Sequence, residues 1–147
     1  MTPRLNEPFK AAPAAIKALM SLEAALGASG LEQRLIELVK MRASQINGCA
    51  FCVDLHASDL RKKGETERRL YAVPVWRETP FFTPRERAAL GWTEAITQVA
   101  TGHAPDADYD ALSAEFSERE RVDLTLAIGV INSWNRLSIG FRKTLTV

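Results

Sequence analysis

The chain reads as an all-α, single-domain helical bundle of about six or seven helices, and three observations predict this. Apolar residues recur at helical spacing through several stretches. Helix start and stop signals bracket those stretches. Nothing in the chain reads as a paired strand, and no linker, low-complexity tract or clear internal repeat interrupts residues 1–147.

In order, Pro13 suits a first helical position and Gly27 a C-terminal cap, which frames a helix over Ala14 to Leu26. Ser29-Gly-Leu-Glu32 reads as a capping box. The helix it opens should run to about Ile46, with Leu31, Leu35, Leu38, Val39 and Ile46 on its apolar stripe. Asn47-Gly48 stops it, since glycine enters the left-handed region cheaply. A cysteine-containing helix follows, up to Gly64, and a shorter one from about Glu65 to Val73, broken before Pro74. Thr83-Pro-Arg-Glu86 combines a capping box with proline at the first helical position, and Gly102 closes that helix. Pro105 and Asp106 begin another short helix. Ser117-Glu-Arg-Glu120 opens a long apolar helix through Leu124, Ile128, Ile131 and Leu137.

Length and composition narrow the function classes. A chain of 147 residues, 46% hydrophobic and 25% charged, has the balance of an ordinary globular domain with a real core. A net charge of +1 gives no electrostatic case for nucleic acid or an anionic membrane. No apolar run approaches the roughly 18 to 20 residues a membrane span requires. The N-terminus lacks a signal-peptide layout, so the expected location is cytoplasmic. There a Cys-x-x-Cys pair points to catalysis or metal binding rather than to a structural staple.

The chemistry concentrates in one stretch. Cys49 and Cys52 are the only two cysteines, His56 follows four residues later, and Glu37 lies twelve residues before Cys49. On a helix beginning after Gly48, Cys49, Cys52 and His56 fall at i, i+3 and i+7, on one face. A thiolate is the nucleophile, and a free cysteine titrates near pH ~8.5. A helix N-terminus favours the thiolate through its unpaired N–H groups and macrodipole. Glu37 works in the opposite direction by like-charge repulsion, so its useful role is to accept a proton directly, through water or through His56. That division of labour suits peroxide reduction: a thiolate attacks the O–O bond and becomes a sulfenic acid, and the second thiol condenses it to a disulfide. An external reductant then reopens the disulfide by thiol exchange.

The pattern Glu37-x11-Cys49-x2-Cys52-x3-His56 resembles the active-site motif of the AhpD-like alkylhydroperoxidases, within the carboxymuconolactone decarboxylase superfamily. The run Ser44-Gln-Ile-Asn-Gly-Cys-Ala-Phe-Cys-Val-Asp-Leu-His56 is similar to the motif of many small members. Trp76-Arg-Glu-Thr-Pro-Phe-Phe82 and Asn132-Ser-Trp-Asn-Arg136 add further matches, so the similarity spans roughly residues 20 to 142. The resemblance implies that Cys52 is the peroxidatic cysteine and Cys49 the resolving partner and proton donor, with Glu37 and His56 relaying protons. It also implies an all-helical homotrimer or homohexamer, a peroxide substrate, a thiol reductant, and no organic cofactor. One departure stands out: well-described members carry a histidine just before the second cysteine, and here that position is Phe51, which shortens the relay by one member.

Other readings of these residues are less specific. A structural zinc site needs four ligands, and His103, the only other histidine, is remote, so no metal is expected. The c-type haem motif fails because Val53 follows Cys52. Trp76, Trp92 and Trp134 read as core or interface residues. Asn132, Asn135 and Arg136 read either as support for the site from a neighbouring helix or as caps and interface pairs. His103 reads as a loop residue, and Arg61-Lys-Lys63 and Arg68-Arg69 as solvated helix faces. Two alternative functions remain at this level: a redox-responsive binding or assembly protein without turnover, and a superfamily decarboxylase acting on a lactone acid. The cysteine pair argues against the second.

Overall fold

Pro8 and Pro13, each at a helix start, set two helices in succession near the N-terminus: α1 (Pro8–Ala11), a single turn, and α2 (Pro13–Gly27). The computed structural model describes residues 2–145, and among these no strand occurs. The remaining helices are α3 (Gln33–Asn47), α4 (Ala50–Lys62), α5 (Glu67–Ala72), α6 (Pro84–Thr97), α7 (Val99–Gly102), α8 (Asp106–Glu115) and α9 (Glu118–Gly140). Seven of these have six residues or more, in line with the six or seven expected.

Local signals account for most boundaries. Both expected capping boxes at Thr83/Glu86 and Ser117/Glu120 form with reciprocal side-chain to backbone bonds. The one expected at Ser29/Glu32 does not. Ser29 Oγ instead donates to Leu26 O at 2.7 Å, closing α2, and α3 starts at Gln33 without a side-chain cap. The reason is Gly30, whose φ of +103° turns the chain and removes Ser29 from the start of α3. Pro74 likewise does not end the structure at α5. It sits among the first residues of a 3₁₀ segment, Val73–Glu78, where its missing N–H costs no helical bond, and this segment carries Trp76 into the core. Gly102 does not close α6, which ends at Thr97; it ends the single turn α7 instead.

α3 is the central helix, packed against α4, α6 and α9, while α8 covers α6 and α2 lies on α9. One core cluster joins Leu35 and Val39 of α3 to Ala89 and Trp92 of α6 and to Leu124 and Ile128 of α9. A second joins Leu38 and Met41 on another side of α3 to Leu60 of α4, Val73, Trp76 and Leu90. Leu60 is fully buried. Its burial contributes about 1.5–3 kcal/mol and holds the far end of α4 against α3.

Arg69 corrects one reading. It is not part of a solvated face: it donates to Glu65 Oε1 at 2.8 Å, to Glu86 Oε1 at 2.6 Å and to the Phe81 carbonyl, which ties α5 to the start of α6. Burial opposes the charge of Glu65, but the Thr66 N–H, Arg34 and Arg69 outweigh it and hold the carboxyl below its ordinary range.

Candidate active site at the α3–α4 hairpin

The site is built on a reversal of the chain. Gly48 takes φ +70°, ψ +32°, the left-handed conformation that ends α3, and Cys49 N donates back to Ser44 O at 2.9 Å. α4 then runs antiparallel to α3, as the contacts Glu37–His56 and Arg34–Glu65 show. Cys49 is the N-cap of α4 rather than a residue of its first turn, and its Sγ accepts from Cys52 N at 3.4 Å. The two cysteines form a disulfide with Cα atoms 5.3 Å apart, inside the usual range for such bonds. Both are almost completely buried, as is His56 one turn beyond Cys52 on the same face.

The structure joins the four residues that the sequence singles out in two pairs, Cys49 with Cys52 and Glu37 with His56, and α4 carries a member of each. Glu37 reaches His56 across the hairpin, with Oε2 2.8 Å from Nδ1. Burial of Glu37 works against its charge. The hydrogen bond from His56 and the positive charge of Lys40, whose Nζ is 3.5 Å from Oε1, prevail and hold the carboxyl below its ordinary range. An ionised carboxylate only accepts hydrogen bonds, so the Nδ1 of His56 donates. In the neutral imidazole this leaves Nε2 as the acceptor. Glu37 therefore sets the tautomer, and His56 presents the basic nitrogen on the helix that carries Cys52.

Three further contributors come from outside the motif. Lys40 is buried and also donates to Glu23 of α2, which accepts from Trp134 Nε1 of α9 at 2.9 Å. A chain of contacts thus runs Trp134–Glu23–Lys40–Glu37–His56. The available signal for Lys40 was a glutamate and a lysine at i and i+3 inside the otherwise apolar run Leu35–Met41. Beneath the hairpin, Asn47 Nδ2 donates to Asn132 Oδ1 and Asn135 Oδ1, both at 2.9 Å, and Asn135 Nδ2 donates to Ser44 Oγ at 3.0 Å. Arg136 Nη1 donates to Asn132 Oδ1 at 2.9 Å. Asn132, Asn135 and Arg136 thus brace the turn that carries Cys49, the supporting role considered from sequence. His103 is exposed, in a left-handed residue after α7, and belongs to no part of the site.

Ligand atoms of Glu37, His56 and Asp59 lie within 4.8 Å of one another, a spacing that suits a cation. Both carboxylates already have ammonium partners, Lys40 at 3.5 Å for Glu37 and Lys62 at 3.0 Å for Asp59. The donor set is matched internally and fits a network of ion pairs better than a metal centre.

An all-helical fold with a Cys-x-x-Cys pair at a helix start, and with a buried Glu–His pair whose histidine lies on that helix, is the AhpD-like arrangement. The chain belongs to the carboxymuconolactone decarboxylase family, whose model matches residues 13–95. It is 44% identical over 131 residues to the uncharacterized protein YdfG of Bacillus subtilis (strain 168), covering 89% of each chain. The crystal structure of ATU0492 from Agrobacterium tumefaciens superposes with a TM-score of 0.94 at 49% identity over 99% of both chains; that protein is described as of unknown function and suggested to be an antioxidant defence protein AhpD. A 47-residue stretch, 32% of this chain and 26% of that protein, is 40% identical to alkyl hydroperoxide reductase AhpD of Hyphomonas neptunium. Among the described residues no helix is long and apolar enough to cross a membrane.

Proposed function

We propose that the protein is a thiol-dependent peroxidase that reduces alkyl hydroperoxides or hydrogen peroxide through a Cys49/Cys52 dithiol–disulfide cycle. The observation that carries this reading is the 2.8 Å Glu37–His56 contact one helical turn from Cys52. The imidazole Nε2 takes the proton of the Cys52 thiol. The thiolate attacks one peroxide oxygen, the O–O bond breaks, and the leaving alkoxide receives a proton to become the alcohol. Cys52 is now a sulfenic acid; the Cys49 thiol displaces its oxygen as water and forms the disulfide. Two equivalents of an external thiol return the pair to the reduced state and leave as their own disulfide. Phe51 offers no proton-transfer group, so Glu37 and His56 carry the relay alone.

The cycle is tested by intact mass and turnover. Mild peroxide should convert the reduced protein to a monomeric-mass species two mass units lighter with no free thiol, and a dithiol should restore it while peroxide disappears at steady state. Stable overoxidation, or intermolecular dimers in its place, would count against the dithiol cycle. Disulfide formation without steady-state consumption would favour the redox-responsive binding protein.

The expected assembly is a homotrimer or homohexamer. Tyr109, Val122 and Leu126 form an exposed apolar face on α8 and α9, and Tyr71 and Val75 are also exposed, which supports coverage by further subunits. Sedimentation at micromolar concentration should show three or six subunits; a monomer would overturn this expectation.

A further inference from the structure

A cavity of about 410 Å³ opens beside the disulfide, within the size range of small-molecule sites, ~300–1,000 Å³. Cys49 lines it and Cys52 does not. Its other walls include Phe51, Ile139 and three cations, Arg4, Arg142 and Lys143, and among the described residues no carboxylate lines it. The cations are placed rather than scattered. Lys143 Nζ sits 3.9 Å from the Phe51 ring centroid and 4.3 Å from that of Phe9, so two aromatic faces hold it over the mouth. Arg4 is anchored by its N–H to Phe141 O and by Nη1 to Gly140 O, both at 3.0 Å. Arg142 adopts a left-handed backbone, φ +55°, a conformation costly for arginine, at the end of α9. The open first turn of α4 adds positive potential from the same side.

We propose, on the basis of the peroxidase reading, that this cavity receives the reductant, and that the reductant is a small thiol bearing a carboxylate. Its carboxylate rests among Arg4, Arg142 and Lys143 and its sulfur meets Cys49. The thiolate attacks Cys49 Sγ, the Cys49–Cys52 bond breaks, and Cys52 leaves as a thiolate, already the form that attacks peroxide. A second thiolate then attacks the reductant sulfur of the mixed disulfide, releasing the reductant as its disulfide and Cys49 as a thiolate. Two thiols are oxidised for each protein disulfide reduced. The substitution of Phe51 for the family's histidine has a consequence here: a neutral ring accepts the Lys143 ammonium on its face, where a charged imidazolium would repel it.

A single-sign cleft typically raises association rates ~10- to 10³-fold for the matching charge, and added salt screens it. Protein oxidised with diamide, with no peroxide present, should be reduced at least about fivefold faster by 3-mercaptopropionate than by its neutral amide, 3-mercaptopropionamide, after correction for thiolate fraction. The preference should shrink in 0.5 M salt, and Lys143→Met and Arg142→Gln should slow 3-mercaptopropionate, a dianion as its thiolate, more than the amide, a monoanion, so that the ratio of the two rates falls. Equal rates for the two thiols on the wild-type protein would overturn the proposal. So would a preference that salt leaves unchanged, or variants that slow both thiols alike. Peroxide turnover with dithiothreitol, a neutral dithiol, tests the peroxidase reading separately, so either can fail without the other.

Discussion

Cys52→Ser is expected to reduce peroxide consumption to background and to leave no sulfenic acid for a trapping reagent. A serine hydroxyl in the same place keeps the hydrogen-bonding shape but cannot supply a thiolate, and the proposed cycle begins with thiolate attack on the O–O bond. Cys49→Ser should behave differently. It retains His56 one turn from Cys52 and the start of α4 behind it, so Cys52 still forms a sulfenic acid, but nothing resolves it and turnover stalls after one equivalent. Mass spectrometry of dimedone-treated variants measures both outcomes. Trapping at Cys49 in Cys52→Ser would exchange the assigned roles of the two cysteines.

What the sequence made legible was what is encoded locally. The two capping boxes that form, at Thr83 and Ser117, each use residues three apart and need no tertiary help. The box at Ser29 has the same letters and fails because Gly30 bends the chain between the two partners, a backbone choice that the pattern does not reveal. At the site, Glu37, Cys49, Cys52 and His56 were legible because helical spacing and one reversal at Gly48 suffice to bring them together. Lys40, Glu23 and Asn47 were not, and for Asn132 and Asn135 the sequence left support and capping as equal alternatives. Their contacts cross between helices 17 to 91 residues apart in the chain, and neither an asparagine inside a helix nor a lysine at i+3 from a glutamate says which distant residue it will meet. Arg69 misled for the same reason: a basic pair on a short helix looks solvated until Glu86 and the Phe81 carbonyl are folded against it.

Glu37→Gln is expected to slow peroxide turnover near neutral pH by at least tenfold. Glutamine still accepts a hydrogen bond from the Nδ1 of His56 through its amide oxygen, so shape and tautomer survive. What is lost is the negative charge that stabilises the imidazolium formed when Nε2 takes the Cys52 proton. Positioned proton transfer of this kind typically contributes ~10²- to 10⁴-fold, of which the charge is one part. The deficit should narrow as pH rises toward the ordinary thiol range near ~8.5, where Cys52 ionises without assistance. A stability measurement separates this from a structural effect. Because the folded protein holds the Glu37 carboxyl below its ordinary value, ionised Glu37 contributes stability that is fully present above the unfolded value, about 4.3, and is lost as pH falls through the lower folded value. Wild type and Glu37→Gln should therefore converge in stability in acid and diverge above about pH 5. Lys40 retains Glu23 in the variant, so the buried ammonium is not left alone and the fold should persist. A variant with near-wild-type turnover across pH 6 to 9, but with the acid-dependent stability difference intact, would make Glu37 a structural anchor for His56 and remove its charge from the catalytic cycle.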